Sequence, residues 1–505
     1  MTSKVFGLNE IAEKLANLRQ AGKVIVHCHG VFDLLHIGHI WYFNEAKSMG
    51  DVLVVTLTQD LYVNKGPHRP AFTEDFRAEA IASLEAVDFV AINQWKTAIE
   101  TIRLLKPNYY VKGPDYSDYD RDLTGNISLE ESAVKEVGGE IALTKDRTFS
   151  SSKLLNLHFN PLNDEQKEFI DQLKGQFTFE DIRKAVESLQ KKKVLVIGEA
   201  IIEEYVYCDA LGKSGKEPIL THRFKSRESY AGGSLTVANH LAAFTKQVHL
   251  ITDLGDRDTY ENFIRENLRK NISWQYVVKP GSPTIRKTRF IDDYTKNKIF
   301  GVYDINDENI GTSQQSELSG WIEGMAPDYD LVIVLDYGHG LVTSSVVRTL
   351  ENTSPYLAVN TQINSANIGF HTISKYQQCD FVCIHEEELR HEFRDRQSSI
   401  ETLICKLPDR IQVGTIVITQ GKSGVMASMD NTILHCPAYA GTIVDRVGAG
   451  DTLMGLTSLC FASKLPPEIG LLFGSLGASK MVGMMGTALR LDKEDILKTI
   501  KTMMS

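Results

Sequence analysis

His29-Gly30-Val31-Phe32-Asp33-Leu34-Leu35-His36-Ile37-Gly38-His39 is the stretch that decides how the first third of this chain folds. The β-branched run Val24-Ile25-Val26 precedes it and reads as a buried strand, and Trp41 to Met49 follow with helical spacing. The stretch therefore lies on a strand-to-helix turn. There Gly30 lets the backbone approach a ligand closely, and the helix start offers N–H groups and positive potential to phosphate. His36 and His39 are three apart, so both imidazoles reach one phosphate and can stabilise charge that develops on it. Phe32 and Asp33 share the turn and are candidate nucleotide contacts.

Outward from that turn, short apolar runs alternate with helical patterns. Val52 to Val55, Asp88 to Ala91, Tyr109 to Val111 and Glu140 to Leu143 read as strands. Helices are expected near Glu74 to Leu84, Thr97 to Leu105 and Leu129 to Val137. This βαβ rhythm predicts a doubly wound parallel sheet with its site at the strands' C-terminal ends. Lys65 beside Gly66, Lys112 beside Gly113, and Ser151-Ser152 at a helix start all fall at such ends. Lysines there suit phosphate as point charges, and serines add hydroxyl and amide donors.

The periodicity loosens around Pro161, Asn163 and Asp164, which places a linker at 158–176 between a domain over 1–157 and another over 177–505. The second domain contains Asp445-Arg446-Val447-Gly448-Ala449-Gly450-Asp451-Thr452, leading into the apolar helical stretch Leu453 to Ala462. Gly448, Ala449 and Gly450 can aim amides at a phosphate, and Asp451 can take a proton from an attacking hydroxyl. Positioning and charge stabilisation are most of what phosphoryl transfer requires.

Two families supply resemblances. The pattern G-x-F-D-x-x-H-x-G-H resembles the nucleotidyltransferase superfamily of cytidylyltransferases and ADP-heptose synthases. From Leu8 to Leu155 the chain resembles the nucleotidyltransferase half of bifunctional heptose-phosphate kinase/ADP-heptose synthases, through Lys65-Gly66-Pro67, Leu84 to Asp88, Val111-Lys112-Gly113 and Gly138-Gly139-Glu140. That resemblance implies that His36 and His39 hold nucleotide phosphates, Lys112 neutralises the reacting phosphates, Lys65 contacts a sugar phosphate, and Ser151 and Ser152 contact the triphosphate. His29 stands where the family usually has Asn. His36-Ile37-Gly38-His39 also resembles class I aminoacyl-tRNA synthetases; the short domain, the acidic balance and the lack of a Lys-Met-Ser-Lys-Ser loop argue against them.

Gly-Ala-Gly-Asp resembles the ribokinase (PfkB) family of sugar kinases. Ala231-Gly232-Gly233 before a helix resembles its substrate-binding Gly-Gly, and Thr419-Gln420-Gly421-Lys422-Ser423-Gly424 resembles its nucleotide loop. The alternating hairpin from Thr284 to Tyr303, turning at Thr295-Lys296-Asn297, would form its small β lid. The resemblance implies ATP and Mg²⁺, Glu388 as the metal-organising acid, and Glu199 with Gly232 and Gly233 at the sugar. Departures are Glu199 for Asp, Thr236 for Asn, His339 for Lys, Asn360 for Asp and His385 for Asn. Together the resemblances imply a Rossmann-like nucleotidyltransferase followed by a ribokinase-like kinase. Such an enzyme makes a nucleotide-activated sugar from a sugar or sugar phosphate and ATP, with CTP the alternative nucleotide at the first site. The family usually has these domains in the reverse order, and it implies a homodimer through the lid.

Composition agrees with a soluble globular protein. The chain has 505 residues, 42% apolar and 24% charged, which fits two domains. A net charge of −10 without a basic stripe argues against nucleic-acid partners. No run reaches membrane-span length, and seven cysteines without pairing rhythm point to reduced thiols and a cytoplasmic setting.

Overall fold

Val52-Leu53-Val54-Val55 extends through Leu57 as a strand buried at every position, which is how a central strand of a helix-covered parallel sheet reads. The computed structural model describes residues 4–67, 69–113, 126–144, 162–365, 367–430, 432–487 and 490–504. Two compact units emerge: Met1–Asp164 together with Glu494–Ser505, and Glu165–Lys493.

In the first unit β1 (Ile25–Gly30), β2 (Val52–Leu57), β3 (Phe89–Ile92), β4 (Tyr109–Lys112) and β5 (Glu140–Leu143) form one parallel sheet in the order β3-β2-β1-β4-β5. The order reverses between β1 and β4, so a crevice opens beyond their C-terminal ends. His29 and Gly30 end one strand and Lys112 ends the other, on either side of that crevice. The helices lie at Leu8–Gln20, Ile37–Ser48, Glu74–Ala82, Ile99–Leu105 and Asn126–Glu136, close to the expected positions.

Arg77 holds the loops of this unit together. Its buried guanidinium donates to the carbonyls of Thr58 (2.9 Å), Phe72 (3.0 Å) and Val31, and it pairs with Asp60 at 2.5 Å. The last helix, Lys493–Met504, groups with this unit from Glu494 onward rather than with the second half of the chain. Asp495 pairs with Lys96 at 2.9 Å, and Met503 packs beside Gly66.

In the second unit the strands are β6 (Lys193–Gly198), β7 (Ala200–Lys213), β8 (Leu220–Gly233), β9 (Gln247–Arg257), β10 (Ile272–Pro283), β11 (Ile285–Asp292), β12 (Lys298–Asp304), β13 (Leu331–Asp336), β14 (Leu357–Thr361), β15 (Gln378–His385), β16 (Gln412–Thr419), β17 (Val425–Met429) and β18 (Thr432–Cys436). A nine-stranded sheet runs β10-β9-β6-β13-β14-β15-β16-β17-β18, parallel up to β16 and antiparallel beyond it. Its order reverses between β6 and β13, which makes a second crevice. A four-stranded sheet, β12-β11-β7-β8, stands apart from it.

The hairpin expected at 284–303 is the β11–β12 pair, with Lys296 left-handed at its turn. The long partners β7 and β8 were not legible as strands, because Glu203, Glu204 and the charges of β8 interrupt any alternating pattern. The 158–176 stretch expected as a linker instead contains the helix Asp164–Gln176, grouped almost entirely with the second unit. Gln166, Ile170 and Leu173 form its thin buried stripe, too narrow to stand out among so many charges.

Arg77→Met should lower stability by about 3 kcal/mol, since the half-exposed Asp60 carboxylate and three carbonyls lose a buried donor. Urea denaturation of the full chain checks this, and Arg77→Lys should recover little because one ammonium cannot span the three loops.

Candidate functional site

In the first unit the helix Ile37–Ser48 begins at His36, whose Nδ1 accepts the N–H of Gly38 at 3.1 Å. His39 stacks on His36 with ring centroids 3.9 Å apart and meets the edge of Phe32 at 5.4 Å. Burial and the neighbouring His36 push the His39 pKa down to about 3, and burial also lowers that of His36. Both rings are therefore neutral at physiological pH, and positive charge must come from lysines. Burial and the Arg69 guanidinium bring Lys65 down to about 8. Lys112, at the end of β4, is nearly buried and pairs with the equally buried Glu130 at 2.8 Å.

Three turn residues hold the turn rather than opening it to a ligand. Asp33 is buried in an ion pair with Arg69 at 2.5 Å and accepts N–H bonds from Ala71 and Phe72, so its carboxylate clamps the following loop. Phe32 adopts a left-handed φ of 48° and buries its ring against Phe43. A Cβ on Gly30 would come within 2.9 Å of that ring, so the glycine is required by packing. His29 belongs to a buried relay in which Thr56 Oγ1 meets both His27 (2.7 Å) and His29 (2.8 Å). Ser151 and Ser152 lie outside the described residues.

In the second unit a cleft of about 190 Å³ lies between the small sheet and the start of the helix Ala449–Ala462. Gly448 caps that helix at φ 78°, and its successors leave the first-turn amides facing the cleft, as any helix N-terminus does. Asp451 lies in that turn, half-buried, with its pKa raised to about 6 by desolvation. The Tyr337 hydroxyl and the Lys287 ammonium counter the shift.

The opposite wall is made by Ile201 and Glu203 of β7, Lys287 and Arg289 of β11, and Gly233. Arg289 pairs with Glu203, and Tyr337, Gln362, Arg446, Val447 and Thr487 also line the cleft. Gly232 and Gly233 are needed where β8 crosses β7: a Cβ would lie 2.6 Å from Glu203 Cγ or 2.8 Å from the Glu199 carbonyl. Lys287, Arg289 and Glu203 were not singled out from sequence. Their signal is Lys287-Thr288-Arg289, two cations two apart on one strand and so on one face. Tertiary register then sets Lys287 opposite Glu203.

Glu199 does not line this cleft. It is fully buried, and its carboxylate accepts N–H bonds from Tyr337 (3.1 Å), His339 (3.1 Å) and Leu341 (3.4 Å). It thereby orders the loop after β13. Glu388 accepts from Ile363 (3.0 Å) and His385 (2.6 Å), and burial pushes it to about 7. His385 caps the helix Glu386–Phe393 through Nδ1, which gives that position a polar cap without an amide side chain. Thr419, Gly421 and Gly424 form the tight link between β16 and β17, and a Cβ on Gly424 would strike the Cys436 carbonyl at 2.2 Å.

A divalent cation can be weighed against these donors. Among the described residues no three His, Cys, Asp or Glu side chains could hold an ion by themselves. The Asp451 and Glu388 carboxylates, however, are half-buried and close enough for Asp451 to raise Glu388. That repulsion fits a Mg²⁺ ion brought with nucleotide phosphates and keeping several waters.

Residues 191–494 match the pfkB family carbohydrate kinases, and residues 27–156 match the cytidylyltransferase-like family. A protein of Nitratiruptor named bifunctional protein HldE is 46% identical over 303 residues, 59% of this chain and 63% of that protein. One of the same name from Aliarcobacter butzleri is 43% identical over 141 residues, 27% of this chain and 29% of that protein. The chain thus covers less than two thirds of these curated relatives. A phosphofructokinase-2 variant from Escherichia coli superposes with a TM-score of 0.51 at 12% identity, covering 62% of this chain and 99% of that one, which is a likeness of fold.

If Lys65 holds an anionic substrate, affinity at the first site should fall as pH rises through about 8, where its ammonium deprotonates. Substrate KM measured across neutral to alkaline pH checks this, and Lys65→Arg should keep KM flat over the same range.

Proposed function

The chain belongs to the pfkB family carbohydrate kinases, and from that premise we propose a bifunctional enzyme that makes a nucleotide-activated, heptose-like sugar. The second unit phosphorylates a sugar phosphate with ATP. The first transfers a nucleotidyl group from ATP, with CTP the alternative, to the product and releases pyrophosphate.

The observation that carries the kinase reading is Asp451 at a helix N-terminus, partly desolvated and across a cleft from Lys287 and Arg289. An acceptor hydroxyl beside Asp451 gives its proton to the carboxylate as its oxygen attacks the γ-phosphorus and ADP leaves. Helix amides and Lys287 stabilise the charge on the transferring group. Three cations, Lys287, Arg289 and Arg446, against Glu203 and Asp451 favour an acceptor that already bears a phosphate over a neutral sugar. Glu203, which lines the cleft, takes the sugar-hydroxyl role that the family resemblance implies for Glu199. Mg²⁺ held by nucleotide phosphates, with Glu388 ordering its waters, would supply charge neutralisation.

At the first site the stacked neutral imidazoles of His36 and His39 act as N–H donors to the α-phosphate while a sugar-phosphate oxygen attacks it. Lys112 exchanges Glu130 for the triphosphate, and Lys65 takes the sugar phosphate. The unpaired state of all seven cysteines supports a reducing, cytoplasmic setting. Exposed Phe224, Phe300 and Val302 on the small sheet support a homodimer formed through it.

Asp451→Asn should cut sugar-phosphate-dependent ADP formation by about 10²–10⁴-fold and leave pyrophosphate release intact. His39→Ala should do the reverse, by about 10²–10³-fold. Coupled assays on a panel of heptose, hexose and polyol phosphates check both, and ADP formation from no acceptor would overturn the kinase reading. The kinase kcat/KM should fall below about pH 6, where the Asp451 carboxylate takes up a proton and can no longer accept one.

A further inference from the structure

Asp445 precedes the Gly448–Asp451 turn, and its carboxylate is almost wholly buried. Four donors converge on it from three parts of the unit. Lys298 of β12 reaches Oδ1 at 2.5 Å, and the Tyr205 hydroxyl of β7 bonds Oδ2. The backbone N–H of Val447 donates to Oδ1 at 3.2 Å, and that of Gly486 to Oδ2 at 3.1 Å. Lys298 also lies over the Tyr205 ring, 5.4 Å from its centroid. The two side-chain donors come from the small sheet, while the two amides belong to the segments that frame Gly448. Gly448 itself is left-handed at φ 78°, and a Cβ there would also press on Met481 and Thr487 at 3.2 Å, so glycine is favoured.

We propose that Asp445 is a positioning residue that ties the small sheet to the phosphate cradle, with Lys298 as the latch. Once the hairpin of β11 and β12 brings Lys298 onto Asp445, the 445–448 segment is held in the shape that aims the Gly448–Asp451 amides. Closing the small sheet over the acceptor and assembling the cradle are then one event. A buried carboxylate satisfied by two backbone N–H groups stays in place when the sheet opens, whereas the half-exposed Lys298 can leave for water at little cost. This makes Lys298 the part that moves. The proposal rests on the kinase reading for its catalytic consequence, but the coupling itself is a property of the fold.

Hydrogen exchange on the full-length protein and kinase kinetics test it together. In Lys298→Met, amides of 446–450 and of the 292–298 turn should both exchange faster. The kinase kcat should fall by about 10–100-fold with the ATP KM within about twofold, since a misaimed cradle loses transition-state contacts rather than nucleotide affinity. Lys298→Arg should restore both. Faster exchange confined to the hairpin, or an unchanged kcat in an active enzyme, would overturn the latch. A wild-type protein inactive towards every acceptor would overturn the kinase reading instead, and the exchange data would still decide the coupling.

Discussion

A parallel sheet whose strand order reverses cannot cover the C-terminal ends of the two strands at the reversal, because the connections leave in opposite directions there. Both units are built around that gap. In the first it opens between β1 and β4, and in the second between β6 and β13. It places the paired imidazoles and Lys112 in one crevice, and the loop ordered by Glu199 in the other. Helix N-termini point into such gaps by construction, so an anion site comes with the topology.

The two cradles meet the cost of burying charge in different ways. In the first, burial leaves His36 and His39 neutral and compensates Lys112 with Glu130, so little net charge is stranded before a nucleotide arrives. In the second, Arg289 is matched by Glu203, while Asp451 stays partly protonated near pH 6 with Lys287 beside it. A carboxylate raised by desolvation is a better proton acceptor than one in water, so the same burial that burdens stability suits the group to its task.

Several acidic residues that the resemblances assign to nucleotide, sugar or metal bind the backbone. Asp33 clamps the 69–72 loop, Glu199 orders 337–341, and Glu388 closes a capping box. A buried carboxylate with two or three amide partners is well satisfied and rigid. These acids stiffen the loops from which the exposed chemistry is presented, and a wholly different carboxylate, Glu203, faces the cleft.

What the amino-acid order alone determined was local: the strand–turn–helix around His36 and His39, the βαβ rhythm, the β11–β12 hairpin and the Gly-Ala-Gly-Asp helix start. Each is set by near-neighbour spacing and by the few residues that tolerate a turn or cap a helix. Tertiary structure alone decided which carboxylate faces a cleft and which faces amides. It also decided that Lys287 and Arg289 stand over Asp451, that Lys298 meets Asp445, and that the last helix joins the first unit. Those outcomes depend on strand register and on contacts between residues far apart in the chain, and no short-range pattern encodes them.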